Sequence, residues 1–159
     1  MHVKKIIPSV LILLFVSFSF AQSVKHASAQ HVVHYKPPVL KSHLGKYSNN
    51  STVSLEEAKT VLALPLTISD VQNNNYSIIT YQFLFRRKGM IEDEQTGKRD
   101  SSTTAVSDHF QNTPLPALWI TNINEGGFVS GEEFIFFDIV VKDPQGKKFF
   151  APDLKIRIQ

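Results

Sequence analysis

Apolar and polar positions alternate most regularly between Tyr76 and Arg87. Ile79, Tyr81, Phe83 and Phe85 share one parity, and Ile78, Thr80, Gln82 and Leu84 the other. A period of two with aromatics on one side predicts a strand half-buried against a second layer, its other face only partly covered. A second apolar run, Phe134 to Val141, is followed by Asp143-Pro-Gln-Gly146 and then by short apolar pieces up to Ile158. Pro144 presets φ and Gly146 tolerates positive φ, so the chain is expected to reverse there and fold its last strands back on one another.

Helical periodicity is confined to one place. Ser54-Leu-Glu-Glu57 has the form of a capping box, and Leu55, Ala58, Val61 and Leu62 follow at helical spacing before Pro65. A short helix over about Leu55 to Leu64 is expected. Leu66 to Val71 reads as a strand closed by Asn73-Asn74-Asn75, whereas Leu118 to Ile123 fits either a strand or a helical turn. From Lys88 to Pro116 periodicity is lost in a polar, Ser/Thr-rich stretch, expected as a long loop hiding one or two short strands. Together these signals predict a mainly β fold: an antiparallel two-layer β-sandwich with one short α-helix.

The N-terminus has the pattern of an export signal. Lys4 and Lys5 precede an apolar run from Ile6 to Phe20, and Ser19-Phe20-Ala21 offers small residues before Gln22. Residues 1–21 are therefore expected to be a signal peptide, with no transmembrane helix retained, and residues 22–38 a flexible arm ending in Pro37-Pro38. Residues 39–159 form the domain. Removing 21 of the 159 residues leaves 138, enough for a single core. Removal also takes away two lysines, so a net charge of +3 falls to +1, which gives no support for nucleic-acid binding. The chain has no cysteine, so neither disulfides nor a lipid-modified cysteine contribute.

Reactive constellations are weak. His26, His31 and His34 cluster in the arm, where solvated tail histidines outweigh a metal site that needs fixed geometry and supporting partners. His43 and His109 lack a spacing partner. Glu92-Asp-Glu94, Asp100 and Asp108 could supply paired carboxylates, but a charged cluster in a polar stretch is ordinarily solvated. There is no Gly-x-Ser-x-Gly elbow and no thiol nucleophile, and Gly126-Gly127 and Gly131 do not lead into a predicted helix. Asn49-Asn-Ser51, Asn50-Ser-Thr52 and Asn75-Tyr-Ser77 fit the N-glycosylation pattern, which matters only in a host that glycosylates. No catalytic residue, metal ligand or cofactor is expected.

The order of signals resembles the C-terminal domain of GldM, a gliding-motility and type IX secretion protein of the periplasm. The resemblance spans about Pro37 to Gln159. Its front half is Pro37-Pro38, Leu44-Gly45-Lys46, the helix start at Val53-Ser-Leu-Glu-Glu-Ala58 and the Tyr76–Phe83 strand. Its back half is Glu133-Phe-Ile-Phe-Phe-Asp-Ile139, Lys142-Asp-Pro-Gln-Gly146 and Pro152-Asp-Leu-Lys-Ile156. GldM carries a transmembrane helix and further domains before this one, where the present chain has a signal-like segment, so motor coupling is not carried over. The resemblance implies a periplasmic or envelope module that docks on other envelope or secretion-machinery proteins without catalysis.

Candidate contact residues are Arg86, Arg87 and Lys88, whose charges could steer an acidic partner, together with Trp119 and the turn residues Pro144, Gln145 and Gly146. Each has a plainer alternative: a solvated strand end for the cations and a core position for a lone tryptophan. A second function class is a secreted carbohydrate-binding sandwich, with Trp119 or Tyr76 stacking on a sugar ring.

Overall fold

The computed structural model describes residues 35–159. The expected signal peptide, most of the expected arm, and His26, His31 and His34 lie outside the described residues. Tyr35 to Val39 carries no regular element, and β1, Leu40–Leu44, begins the fold. It is followed by β2, Tyr47–Ser48, and β3, Ser51–Val53. Helix α1, Leu55–Val61, then starts at the expected capping box: the Glu57 N–H donates to the Ser54 hydroxyl, and the Ser54 N–H donates to the Glu57 carboxylate at 3.0 Å. Ala58, Val61 and the capping Leu62 are buried, while Leu55 is exposed and does not join the apolar face.

The chain continues through β4 (Leu66–Asp70), β5 (Asn75–Glu92), β6 (Arg99–Phe110), α2 (Ala117–Glu125), β7 (Glu133–Lys142), β8 (Lys148–Phe150) and β9 (Leu154–Ile158). The fold is mainly β, as the sequence predicts. It differs from the expectation in three respects. Among the described residues there are two helices, because Trp119, Ile120 and Ile123 pack inward at helical spacing. The sheet is mixed, since β3 runs parallel to β9 while the other pairings are antiparallel. Residues 88–116 are mostly strand rather than one long loop: β5 continues to Glu92 and returns as the twelve-residue β6, leaving only 93–98 and 111–116 without a regular element.

The strands follow the path β2-β1-β4-β5-β7-β9-β3, with β6 added to β5 and β8 to β7. Its two ends, β2 and β3, are separated in sequence only by Asn49 and Asn50, so the path curls back toward its start. Inside the curl Tyr81, Phe83 and Phe85 of β5 meet Phe134 and Phe136 of β7, with Phe83 and Phe136 centroids 5.0 Å apart. Such pairs add roughly 0.5–1.5 kcal/mol beyond simple burial. Leu44, Ile68, Leu154 and Ile156 close the core. The β5–β7 ladder shifts register between Ile78 and Thr80 and again between Thr80 and Gln82. At the second shift Asp138 takes φ 48°, and its carboxylate accepts the Gln82 amide at 2.8 Å.

Candidate functional site

β7 accompanies β5 only as far as the Arg86↔Glu133 pair. Beyond it β5 has β6 as its strand neighbour, from Tyr81↔Phe110 out to Glu92↔Arg99. The result is a two-stranded ribbon standing off the core. Met90 and Ile91, 71% and 63% exposed, lie near its tip, and Val106 nearer its base is also exposed. At the tip, the Asp93 carboxylate accepts the N–H groups of Gln95 and Thr96, both at 2.9 Å, and Gly97 takes φ 66°. These bonds, that from Thr96 foremost, hold the Asp93 carboxyl below its usual range. Arg99 closes the ribbon onto Glu92 at 2.8 Å.

The three adjacent cations have different environments. Arg86 Nη1 lies 2.6 Å from Glu133, which Arg157 also reaches at 2.9 Å and Lys155 at 3.9 Å. Burial of the Glu133 side chain, 5% exposed, pushes its carboxyl up; Arg157, Lys155 and Arg86 outweigh that and hold it below the ordinary glutamate value. Arg87, on the opposite face, lies 3.5 Å from Glu132 and donates to the carbonyls of Gly126 at 2.6 Å and Gly127 at 3.0 Å. A guanidinium at the end of α2 also suits the negative pole of that helix. Arg86 and Arg87 are thus structural clamps at the ribbon's base. Lys88 is exposed, and its backbone N–H donates to Glu132 at 3.3 Å.

Trp119 is half-buried. Its ring meets Phe110 at 5.4 Å and Phe83 at 6.1 Å, both nearly perpendicular, so it packs against the inner face of the β5–β6 pair. Pro144, Gln145 and Gly146 are exposed at the β7–β8 turn, as the sequence predicts. The Gly146 N–H donates to Asp143 O at 3.0 Å, and Gly146 has φ 85°. The structure does not gather the seven candidate residues into one surface: the arginines and Trp119 serve the ribbon's base, while the 144–146 turn caps a different hairpin.

Two features escape sequence inspection. One is the Glu132–Glu133 pair, hidden because the arginines that face it come from a strand more than forty residues away. The other is a cleft of about 440 Å³ where β4 and β5 diverge, with Tyr76 in its wall. β4 and β5 pair at only two positions, Ile68↔Tyr76 and Ser69↔Asn75, and β6 joins β5 only from Tyr81. The cleft occupies the gap between. Asn75, Gln111 and Asn112 belong to segments whose chemistry appears only when the topology brings them together.

Among the described residues no group of three His, Cys, Asp or Glu side chains is placed to hold a metal ion. Among them, too, no helix is long and apolar enough to cross a membrane. Comparison with known protein families gives no matching family model, and comparison with curated proteins gives no match.

Proposed function

We propose that this chain is an exported, non-enzymatic envelope module that works by protein–protein contact, with the β5–β6 ribbon as its contact element. What supports this role is the resemblance to the GldM C-terminal domain, and the reading taken is an adaptor of secretion or gliding machinery in the periplasm. The observation that carries the proposal is the outer edge of β6. Over its twelve residues this strand has β5 on one side and no strand neighbour on the other among the described residues.

Free edges invite pairing with other chains, and proteins ordinarily blunt them with charge, proline or a bulge. From Ser101 to Ser107 the β6 edge carries no charge and no proline, and its register with β5 is unbroken. A strand from a partner would complete it by main-chain hydrogen bonds, and the exposed Met90, Ile91 and Val106 would contribute apolar contact.

The test is a charged edge. Thr103→Lys and Ala105→Lys, both at exposed positions, put charge into the neutral stretch of β6, the device by which free edges are ordinarily blunted. Their β5 partners, Lys88 and Arg86, are left unchanged. The double variant is expected to preserve the far-UV spectrum and abolish capture of the envelope partner.

A further inference from the structure

We infer that the cleft between β4 and β5 is a binding site for a neutral, polyhydroxylated ligand: a mono- or disaccharide unit of a glycan. Its volume, about 440 Å³, lies within the roughly 300–1,000 Å³ of small-molecule sites. Its wall offers amides from Asn75, Gln111 and Asn112 and hydroxyls from Thr67 and Thr113. Each amide both donates and accepts, and each hydroxyl does the same, which matches the mixed donor–acceptor rim of a sugar. No Asp, Glu, Lys, Arg or His lines the cleft. A charged ligand would leave water without a counter-charge there, whereas a neutral one would not. Tyr76 and Ile78, both partly exposed, supply apolar surface for the C–H face of a pyranose.

The walls are fixed in advance. Tyr76 stands nearly perpendicular to Phe149 at 5.8 Å and pairs with Ile68 across the β4–β5 ladder, two residues from Asp70. Asp70 in turn accepts the Asn74 side-chain amide at 2.9 Å and the N–H groups of Asn74 and Gln72 at 2.9 and 2.8 Å, which pins the turn leading to Asn75. On the opposite wall the Leu66 N–H donates to Thr113 Oγ1 at 2.6 Å, and the Tyr81 hydroxyl donates to Asn112 O at 2.9 Å. A preformed site avoids the ordering cost that weakens binding to mobile loops. Of the two aromatics expected from sequence to stack on sugar, Tyr76 lines this cleft, whereas Trp119 packs against Phe83 and Phe110. The cleft does not depend on the ribbon, and the two sites are tested separately.

The experiment is a proton–nitrogen correlation titration of the full chain with cellobiose, maltose, N,N′-diacetylchitobiose, digalacturonate and tetraalanine. At least one neutral disaccharide is expected to shift the Asn75, Gln111 and Asn112 signals saturably, with millimolar affinity, while digalacturonate leaves them in place. Gln111→Ala and Asn75→Ala, both at exposed positions, are each expected to weaken that binding about fivefold, the loss of roughly one hydrogen bond. Failure of all three neutral disaccharides, shifts confined to residues outside the cleft, or unchanged affinity in both variants would overturn the assignment. So would saturable binding of tetraalanine at the cleft with none by sugars.

Discussion

Arg87 reaches across the ribbon's base to Glu132, 3.5 Å away, and the Glu132 side chain is only 1% exposed. The carboxylate also accepts the N–H of Val129 at 3.0 Å and that of Lys88 at 3.3 Å. One buried acid therefore ties together β5, the end of β7 and the turn before it. The ribbon springs from this anchor.

Removing Arg87 should therefore cost more than removing its neighbour. Arg87→Ala strands a buried carboxylate and frees two carbonyls at the end of α2, a loss of about 3 kcal/mol. Arg86→Ala leaves Glu133 with Arg157 and Lys155, and Arg86 is itself partly exposed, so about 1 kcal/mol is expected. Urea unfolding of the two variants measures the difference. Equal losses would mean that the buried acid does not anchor the ribbon.

Trp119 is the single tryptophan, so its emission reports one place. Packed against Phe83 and Phe110, it should emit at short wavelength in the folded chain and shift red on unfolding. Trp119→Ala should cost roughly 2 kcal/mol, less than the 3–5 kcal/mol of a fully buried aromatic because the ring is half-buried. A variant of unchanged stability that loses partner capture would make Trp119 a contact residue instead.

Much of the fold was legible because burial writes a pattern into sequence. The β5 alternation identified Ile79, Tyr81, Phe83 and Phe85 as one face; the last three are buried, but the register shift at Ile78/Thr80 packs Ile78 rather than Ile79 on the core. The capping box at Ser54 and the turn at Gly146 were equally readable, since each rests on local chemistry. The ribbon was not. With both faces in water, residues 99–109 need no apolar alternation, and a Ser/Thr-rich strand without it looks like loop. α2 was ambiguous because nine residues hold too few turns to separate helical from strand spacing. Of the candidate contact residues, Arg86 and Arg87 were visible as charges, but their buried partners were set by strand pairing alone.

Acid should loosen the β5–β7–β9 face. The folded-state pKa of Glu133 is depressed, so its stabilising contribution is present above 4.5, the ordinary value, and is lost as pH falls below it. Asp70 is shifted in the same direction, first by the Asn74 side-chain amide, and adds to that loss below its ordinary 3.8. The urea midpoint should therefore fall as pH drops below about 4.5, and Glu133→Gln should flatten the upper part of that slope. An unaltered slope in the variant would contradict the assignment.

Alkali should act through Tyr81. Burial pushes its phenol up to about 12 from 10.0, and its hydroxyl donates to Asn112 O at 2.9 Å. The raised folded value means stability is retained below 10 and lost as pH climbs toward 12. Phenolate absorbance should show one of the four tyrosines titrating late, together with unfolding. Four tyrosines titrating together near 10 with the fold intact would count against it.

The free edge of β6 is proposed as the place where a partner strand docks. Quantitative capture of the envelope partner by the unaltered chain and by the Thr103→Lys/Ala105→Lys chain, at matched concentration, decides it. Loss of the captured protein with the charged edge, while the melting curve stays cooperative, is the predicted result. Equal capture by the two chains would contradict edge docking.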